Sequence, residues 1–120
     1  MEVIRMETFV EFRADEKALT RDIMRGLEQD KSILKASEFL KAFSDSSRLK
    51  ILLALANGGL CVCDICEVVG QSQPAVSHHL RQLRSQRIVD FRKEGRNTVY
   101  YLDDMHIEDI IRTTFRHIKE

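Results

Sequence analysis

Residues 60–66 read LCVCDIC and hold all three cysteines of the chain. Cys63 and Cys66 stand three apart, which places two thiols on one face of a helix. Cys61 joins them only if it precedes the helix or if the first turn loosens. Three thiolates meeting at one point would form a trigonal pyramid for a soft centre such as arsenite or antimonite. A second group lies near the C-terminus: Asp104, His106, His117 and Glu120, a D-x-H … H-x-x-E pattern. Imidazole nitrogens and carboxylate oxygens in tetrahedral number suit zinc, and less well cobalt or nickel. His106 and His117 are 11 residues apart, so a helix turning about 100° per residue returns them to nearly one face. The rise over that span is about 16 Å, far beyond the ~4 Å separating two ligands of one ion. One helix therefore cannot close the site. Two helices packed antiparallel across a two-fold axis can, with Asp104 and His106 of one facing His117 and Glu120 of the other.

Both groups also have inert readings. Cysteine packs as a small hydrophobe, and a terminal helix displays polar side chains to water. Cys63-x-x-Cys66 has the spacing of a redox pair, but no βαβ pattern adjoins it. No third group stands ready to activate a thiolate. Composition narrows the field further. A chain of 120 residues, 43% hydrophobic and 32% charged, is the size and balance of one ordinary domain. Nineteen basic and nineteen acidic side chains cancel, so a nucleic-acid surface has to be local. An odd cysteine count argues against a closed set of disulfides. No apolar run reaches the roughly 20 residues of a membrane span, and the N-terminus lacks the features of a signal peptide. The expectation is a cytoplasmic protein with reduced thiols and no membrane partner.

The elements that position these residues follow from periodicity and punctuation. Residues 1–14 mix apolar and charged side chains without period and are expected as a mobile arm ahead of a domain over 15–120. Helical spacing recurs from Asp15 to Glu28 and from Ser32 to Phe43. Ser44 and Asp45 can cap a nearly buried helix carrying Leu49, Ile51, Leu52 and Leu55, which Asn57-Gly58-Gly59 would end. A short helix over Cys61–Val69 stops at Gly70. Ser72 or Gln73 can then cap a helix reaching Gln86, with Pro74 in its first turn and Val76, Leu80 and Leu83 as its inward stripe. Two helices joined by a tight glycine turn form a helix-turn-helix. IVDFRKEGRNTVYYL reads as a hairpin around Lys93-Glu94-Gly95-Arg96. Asp103 or Asp104 caps a final helix to about Lys119. The fold expected is mainly α with a small β-hairpin, a winged helix-turn-helix.

In such a fold the helix after Ser72 enters a major groove. Ser72, Gln73, Ser77, His78, Arg81 and Arg84 are its candidate DNA contacts, and Arg92, Lys93 and Arg96 those of the hairpin. Between residues 72 and 99, six basic side chains against two acidic ones leave a local net charge of +4. A single winged helix has a small footprint, so tight binding would favour a homodimer on a two-fold site of double-stranded DNA.

The segments SDSSRLKILLAL, LCVCDICEVVG and QSQPAVSHHLRQLRSQRIVDFRKEGRNTVYYL, with the last helix, together resemble the ArsR/SmtB family of metal-sensing repressors over residues 32–120. Residues 1–30 look like the variable arm and dimer-forming first helix of such proteins. The resemblance implies a non-enzymatic homodimer that binds an operator when metal-free, releases it on binding metal, and controls metal resistance or homeostasis genes. It implies a zinc site on the C-terminal helix, matched at Asp104, His106, His117 and Glu120. Arsenic sensors of the family carry CVCDLC in the same helix, matched by Cys61, Cys63 and Cys66. Relatives also keep cysteines there without using them, so a sensing and a vestigial role both stay open. Cadmium- and lead-sensing relatives add cysteines from the arm, which here has neither cysteine nor histidine. Two alternatives remain: a thiol redox protein using Cys63 and Cys66, and a metal-insensitive winged-helix regulator.

Overall fold

The computed structural model describes residues 2–6, 10–14 and 19–120, in two units, 1–38 and 39–120. In the first unit β1 (Glu2–Met6) and β2 (Val10–Ala14) pair antiparallel, Glu2 opposite Ala14. No strand was expected in this arm, although Val10-Glu11-Phe12-Arg13 alternates apolar and charged as a strand does. Residues 1 and 7–9 of the arm, and 15–18 at the start of the expected helix, lie outside the described residues. Helix α1 runs Leu19–Gln29. Helix α2, Ser32–Lys41, stops two residues short of the Phe43 expected. Met24 and Leu27 on α1, and Ile33, Leu34 and Leu40 on α2, are exposed.

The second unit begins its chain of helices at Asp45. Its backbone is extended, and its Oδ2 accepts the Arg48 N–H at 2.9 Å, capping α3 (Ser46–Leu55). That bond is the main reason its carboxyl sits below the ordinary carboxylate range. Helix α3 does not end on a left-handed glycine, as expected. It ends at Ala56, still right-handed, and the chain turns afterwards at Gly58 (φ +129°). Helix α4 covers Val62–Val69, one residue shorter than expected because Cys61 stays extended as its N-cap. Gly70 closes α4 in the left-handed conformation (φ +69°) that a missing Cβ makes accessible. Its N–H and that of Gln71 both bond the Cys66 carbonyl, at 2.9 and 3.2 Å.

Helix α5 (Gln73–Ser85) starts on the Ser72 hydroxyl, which accepts the Ala75 N–H at 3.4 Å, with Pro74 in the first turn. Val76, Leu80 and Leu83 are fully buried, as their spacing predicts. The helix closes through two bonds: Arg87 N–H to the Arg84 carbonyl at 3.0 Å and Ile88 N–H to the Leu83 carbonyl at 2.9 Å. These are the paired bonds of a Schellman motif, whose pivot has to be left-handed. Here the pivot is Arg87, at φ +57°, a conformation that costs an L residue about 1 kcal/mol.

The hairpin follows as expected. Strand β4 (Val89–Glu94) pairs with β5 (Asn97–Leu102), Glu94 opposite Asn97. Of the two turn residues only Gly95 has positive φ, at +61°, which fits a type II′ turn. A third strand, β3 (Leu60–Cys61), was not anticipated. It pairs antiparallel with β5, Cys61 opposite Val99, giving the order β3-β5-β4. Helix α6 runs Met105–Lys119. Ile107 and Ile111 of α6 join Leu80 and Leu83 of α5 and Ile51, Leu52 and Ile65 in one buried cluster. Helix-turn-helix plus three-stranded wing is the winged helix-turn-helix fold. No helix among the described residues is long and apolar enough to cross a membrane.

Candidate functional site

With Val76, Leu80 and Leu83 turned inward, α5 presents Gln73, His78, Arg81 and Arg84 to solvent; Ser72 at its cap is exposed and Ser77 is half-buried. On the wing Arg92, Lys93 and Arg96 are all exposed. Two of these cations are held by carboxylates. Arg84 Nε lies 3.2 Å from Asp90 Oδ1, with its guanidinium 4.2 Å above the Phe91 ring. Arg92 Nε lies 2.7 Å from Glu94 Oε1. Those two pairs use both local carboxylates, so the surplus charge is carried by Arg81, Arg87, Lys93 and Arg96. Lys93 Nζ donates to the Thr98 hydroxyl at 3.0 Å. The surface is a basic, exposed strip on a rigid helix and hairpin. It can meet phosphates and base edges.

What sets the angle of α5 includes one residue that spacing did not flag. Arg48 donates from Nε to the Ala42 carbonyl at 2.9 Å and from Nη2 to the Lys41 carbonyl at 3.1 Å, capping the end of α2. From Nη1 it reaches Gln82 Oε1 on α5 at 3.1 Å. A basic residue one turn into a helix gives no such signal, because its partners come from two other elements, the end of α2 and α5.

The C-terminal group sits as its spacing requires. Asp104, and not Asp103, caps α6: its Oδ1 accepts the N–H groups of His106 at 2.8 Å and Ile107 at 3.3 Å. Its Oδ2 accepts no hydrogen bond among the described residues, so one oxygen serves the helix and the other is available to a ligand. His106 Nδ1 lies 3.4 Å from Asp104 Oδ1. His106, His117 and Glu120 are exposed, while Ile107 and Ile111 are buried. The two imidazoles share a strip well away from the buried face. Asp104→Asn is expected to keep the cap, since asparagine and aspartate rank together there. Its thermal midpoint should match wild type, whereas Asp104→Ala should lose about 1 kcal/mol. Thermal melting monitored by circular dichroism measures both.

The cysteines are all free thiols; Cys63 is exposed and the other two half-buried. Cys61 precedes α4, the first of the two conditions under which it can join the others. Its thiol donates to Asp64 Oδ2 at 3.2 Å. Cys66 packs against the buried cluster, and its carbonyl anchors the turn into α5. Among the described residues no three His, Cys, Asp or Glu side chains of one chain are gathered to hold a metal. The α6 group needs a second helix, and the three thiols are not gathered at one point even though Cys61 precedes α4.

Known proteins similar in sequence are regulatory proteins or repressors by name, and a solved structure is similar in shape. Residues 45–90 match the family model described as bacterial regulatory protein, arsR family. The chain is 46% identical over 84 residues to a transcriptional repressor SmtB homolog of Synechocystis, covering 70% of this chain and 64% of that protein. It is 39% identical over 88 residues to a cadmium resistance transcriptional regulatory protein CadC homolog of Staphylococcus aureus, covering 72% and 73%. An arsenical resistance operon repressor of the same organism is 43% identical over 81 residues, covering 68% and 78%. Among solved structures, HlyU from Vibrio cholerae superposes with a TM-score of 0.69 at 32% identity, over 77% of this chain and all of that one.

Proposed function

The chain belongs to the ArsR family of bacterial regulatory proteins, whose members are transcriptional regulators and not enzymes, and from that premise we propose that it is a homodimeric, metal-responsive repressor. Helix α5 and the β4–β5 wing of each protomer hold double-stranded operator DNA through Ser72, Gln73, Ser77, His78, Arg81, Arg84, Arg92, Lys93 and Arg96. Asp104 and His106 of one α6, with His117 and Glu120 of the other protomer's α6, would hold a zinc ion. The observation that carries this reading is the division of labour at Asp104: one carboxylate oxygen fastens the helix and the other is unclaimed, beside an exposed imidazole. Two imidazoles and two carboxylates supply four ligands of the kind zinc takes.

Release of DNA needs a metal-bound dimer shape with lower affinity for the operator, because a ligand shifts an equilibrium only by its differential affinity. The chain has a route for it. Ile107 and Ile111 of α6 share one buried cluster with Leu80 and Leu83 of α5, so a rearranged α6 seam moves the packing behind the reading helix. A second reading uses Cys61, Cys63 and Cys66 for arsenite, antimonite or another soft metal. It is favoured by the short lever at Cys66, whose carbonyl holds the turn that leads into α5.

A titration of zinc, cadmium, lead and arsenite against the preformed complex with DNA upstream of its own gene separates the readings. Zinc is expected to release the DNA, and Cys66→Ser to leave that release intact. Arsenite release that disappears in Cys66→Ser would make the thiols the sensor. If no metal dissociates the complex, the protein is a metal-insensitive regulator and the proposal fails.

A further inference from the structure

Resting on the DNA-binding reading above, we infer that Arg87, together with Arg81, is a DNA-backbone contact that holds one phosphodiester beside the groove entered by α5. The first observation is conformational. Helices α4 and α5 both end in the left-handed region, at Gly70 and at Arg87. The two closing bonds of α5 use only backbone atoms around Arg87, so nothing in that turn needs a side chain. Among the described residues the Arg87 guanidinium makes no hydrogen bond or ion pair. A strained arginine at a position suited to glycine points to work done by its side chain, the direction of inference that a backbone outlier licenses.

The second observation is electrostatic. Arg81, Arg84, Arg87, Asp90 and Asp103 line one open basin at the end of α5. Arg84 is neutralised by Asp90 at 3.2 Å, which leaves Arg81 and Arg87 against Asp103. The resulting single positive charge matches the single negative charge of a phosphodiester, whereas free phosphate carries more than one negative charge on average at neutral pH. Arg81 belongs to both the basin and the outward face of α5, so the basin continues the surface that meets DNA. Contacts of this kind fix register on the duplex and carry no sequence information.

Arg87→Gly keeps both closing bonds and removes the strain, so loss of folding does not confound the test. Salt-dependent binding is measured by fluorescence anisotropy on duplexes of about 30 base pairs, room for two half-sites, one random and one from upstream of the gene. The melting midpoint of the variant should rise by about 4 °C. Its plot of log affinity against log salt should become shallower by about 0.9 per protomer, or about 1.8 for a dimer. Affinity should drop by a similar factor on both duplexes, and Arg87→Lys should retain the wild-type slope. A raised midpoint with unchanged slope and affinity would overturn the inference while leaving the DNA-binding function standing. Failure of wild type to bind either duplex would overturn both. If inorganic phosphate, exchanged for chloride at equal ionic strength, raises the midpoint of wild type but not of Arg87→Gly, the basin serves a free anion and the inference is likewise wrong.

Discussion

Replacing His117 with alanine is expected to leave the protein folded and bound to DNA while removing its response to zinc. His117 is exposed in the last turn of α6, and among the described residues its ring makes no hydrogen bond or ion pair. Substitutions at such positions usually shift stability by no more than about 0.5 kcal/mol. It is also remote in sequence from α5 and the wing, so affinity for operator should hold. The effect on metal is different in kind. Loss of groups that merely support a ligand costs about 10–100-fold in metal affinity, so loss of one of four ligands should cost at least about 100-fold. Competition with a chromophoric zinc chelator measures that directly, and the zinc midpoint for DNA release should move by the same factor. If each site takes ligands from two protomers, as proposed, one substitution per chain damages both sites of the dimer. A variant that keeps wild-type zinc affinity would remove α6 from the sensing scheme. His78→Ala, on the DNA face, serves as the counterpart: weaker DNA binding with intact zinc binding.

The parts of this architecture legible in the sequence are those written in local chemistry. The stripe Val76, Leu80, Leu83 announces the inner face of α5, and all three are fully buried. Ser72, Pro74, Gly70 and Gly95 mark ends and turns because each supplies a specific backbone or side-chain property, and each sits where that property is used. Strand β3 was not legible, because two residues become a strand only by pairing with β5, some 40 positions later. The end of α5 was misplaced by one residue for a related reason. Its pivot is Arg87, and the usual signal for that conformation is glycine. The metal groups fall between these cases. Spacing brings His106 and His117 to one strip of a helix but does not choose between Asp103 and Asp104 as cap, which is Asp104. Closure of the α6 group would need a second helix, and the three thiols are not gathered although Cys61 precedes α4, so no local pattern encodes either.

Leu80→Ala and Arg81→Ala, neighbours on α5, are expected to fail in opposite ways. Leu80 is fully buried in the cluster shared by α3, α4, α5 and α6. Truncation there removes apolar contact and leaves a cavity, at a cost of about 2–5 kcal/mol. Against a typical domain stability of about 5–15 kcal/mol, that is a large fraction of the whole. The melting midpoint should fall by about 10 °C or more, since each kcal/mol moves a domain of this size by about 4–8 °C. DNA binding should weaken with it, because the face carrying His78, Arg81 and Arg84 is held in place from behind. Leu80→Met, close in volume, should cost less than about 1.5 kcal/mol and keep both properties. Arg81 is exposed and forms no ion pair among the described residues, so Arg81→Ala should leave the midpoint within about 0.5 kcal/mol of wild type. Its operator affinity should nonetheless fall, with a shallower salt dependence of about 0.9 per protomer. Calorimetric melts and anisotropy on the same preparations read both quantities. If Arg81→Ala melts early, or if Leu80→Ala keeps full affinity at temperatures where it is folded, then α5 is not split into a core face and a DNA face as its period implies.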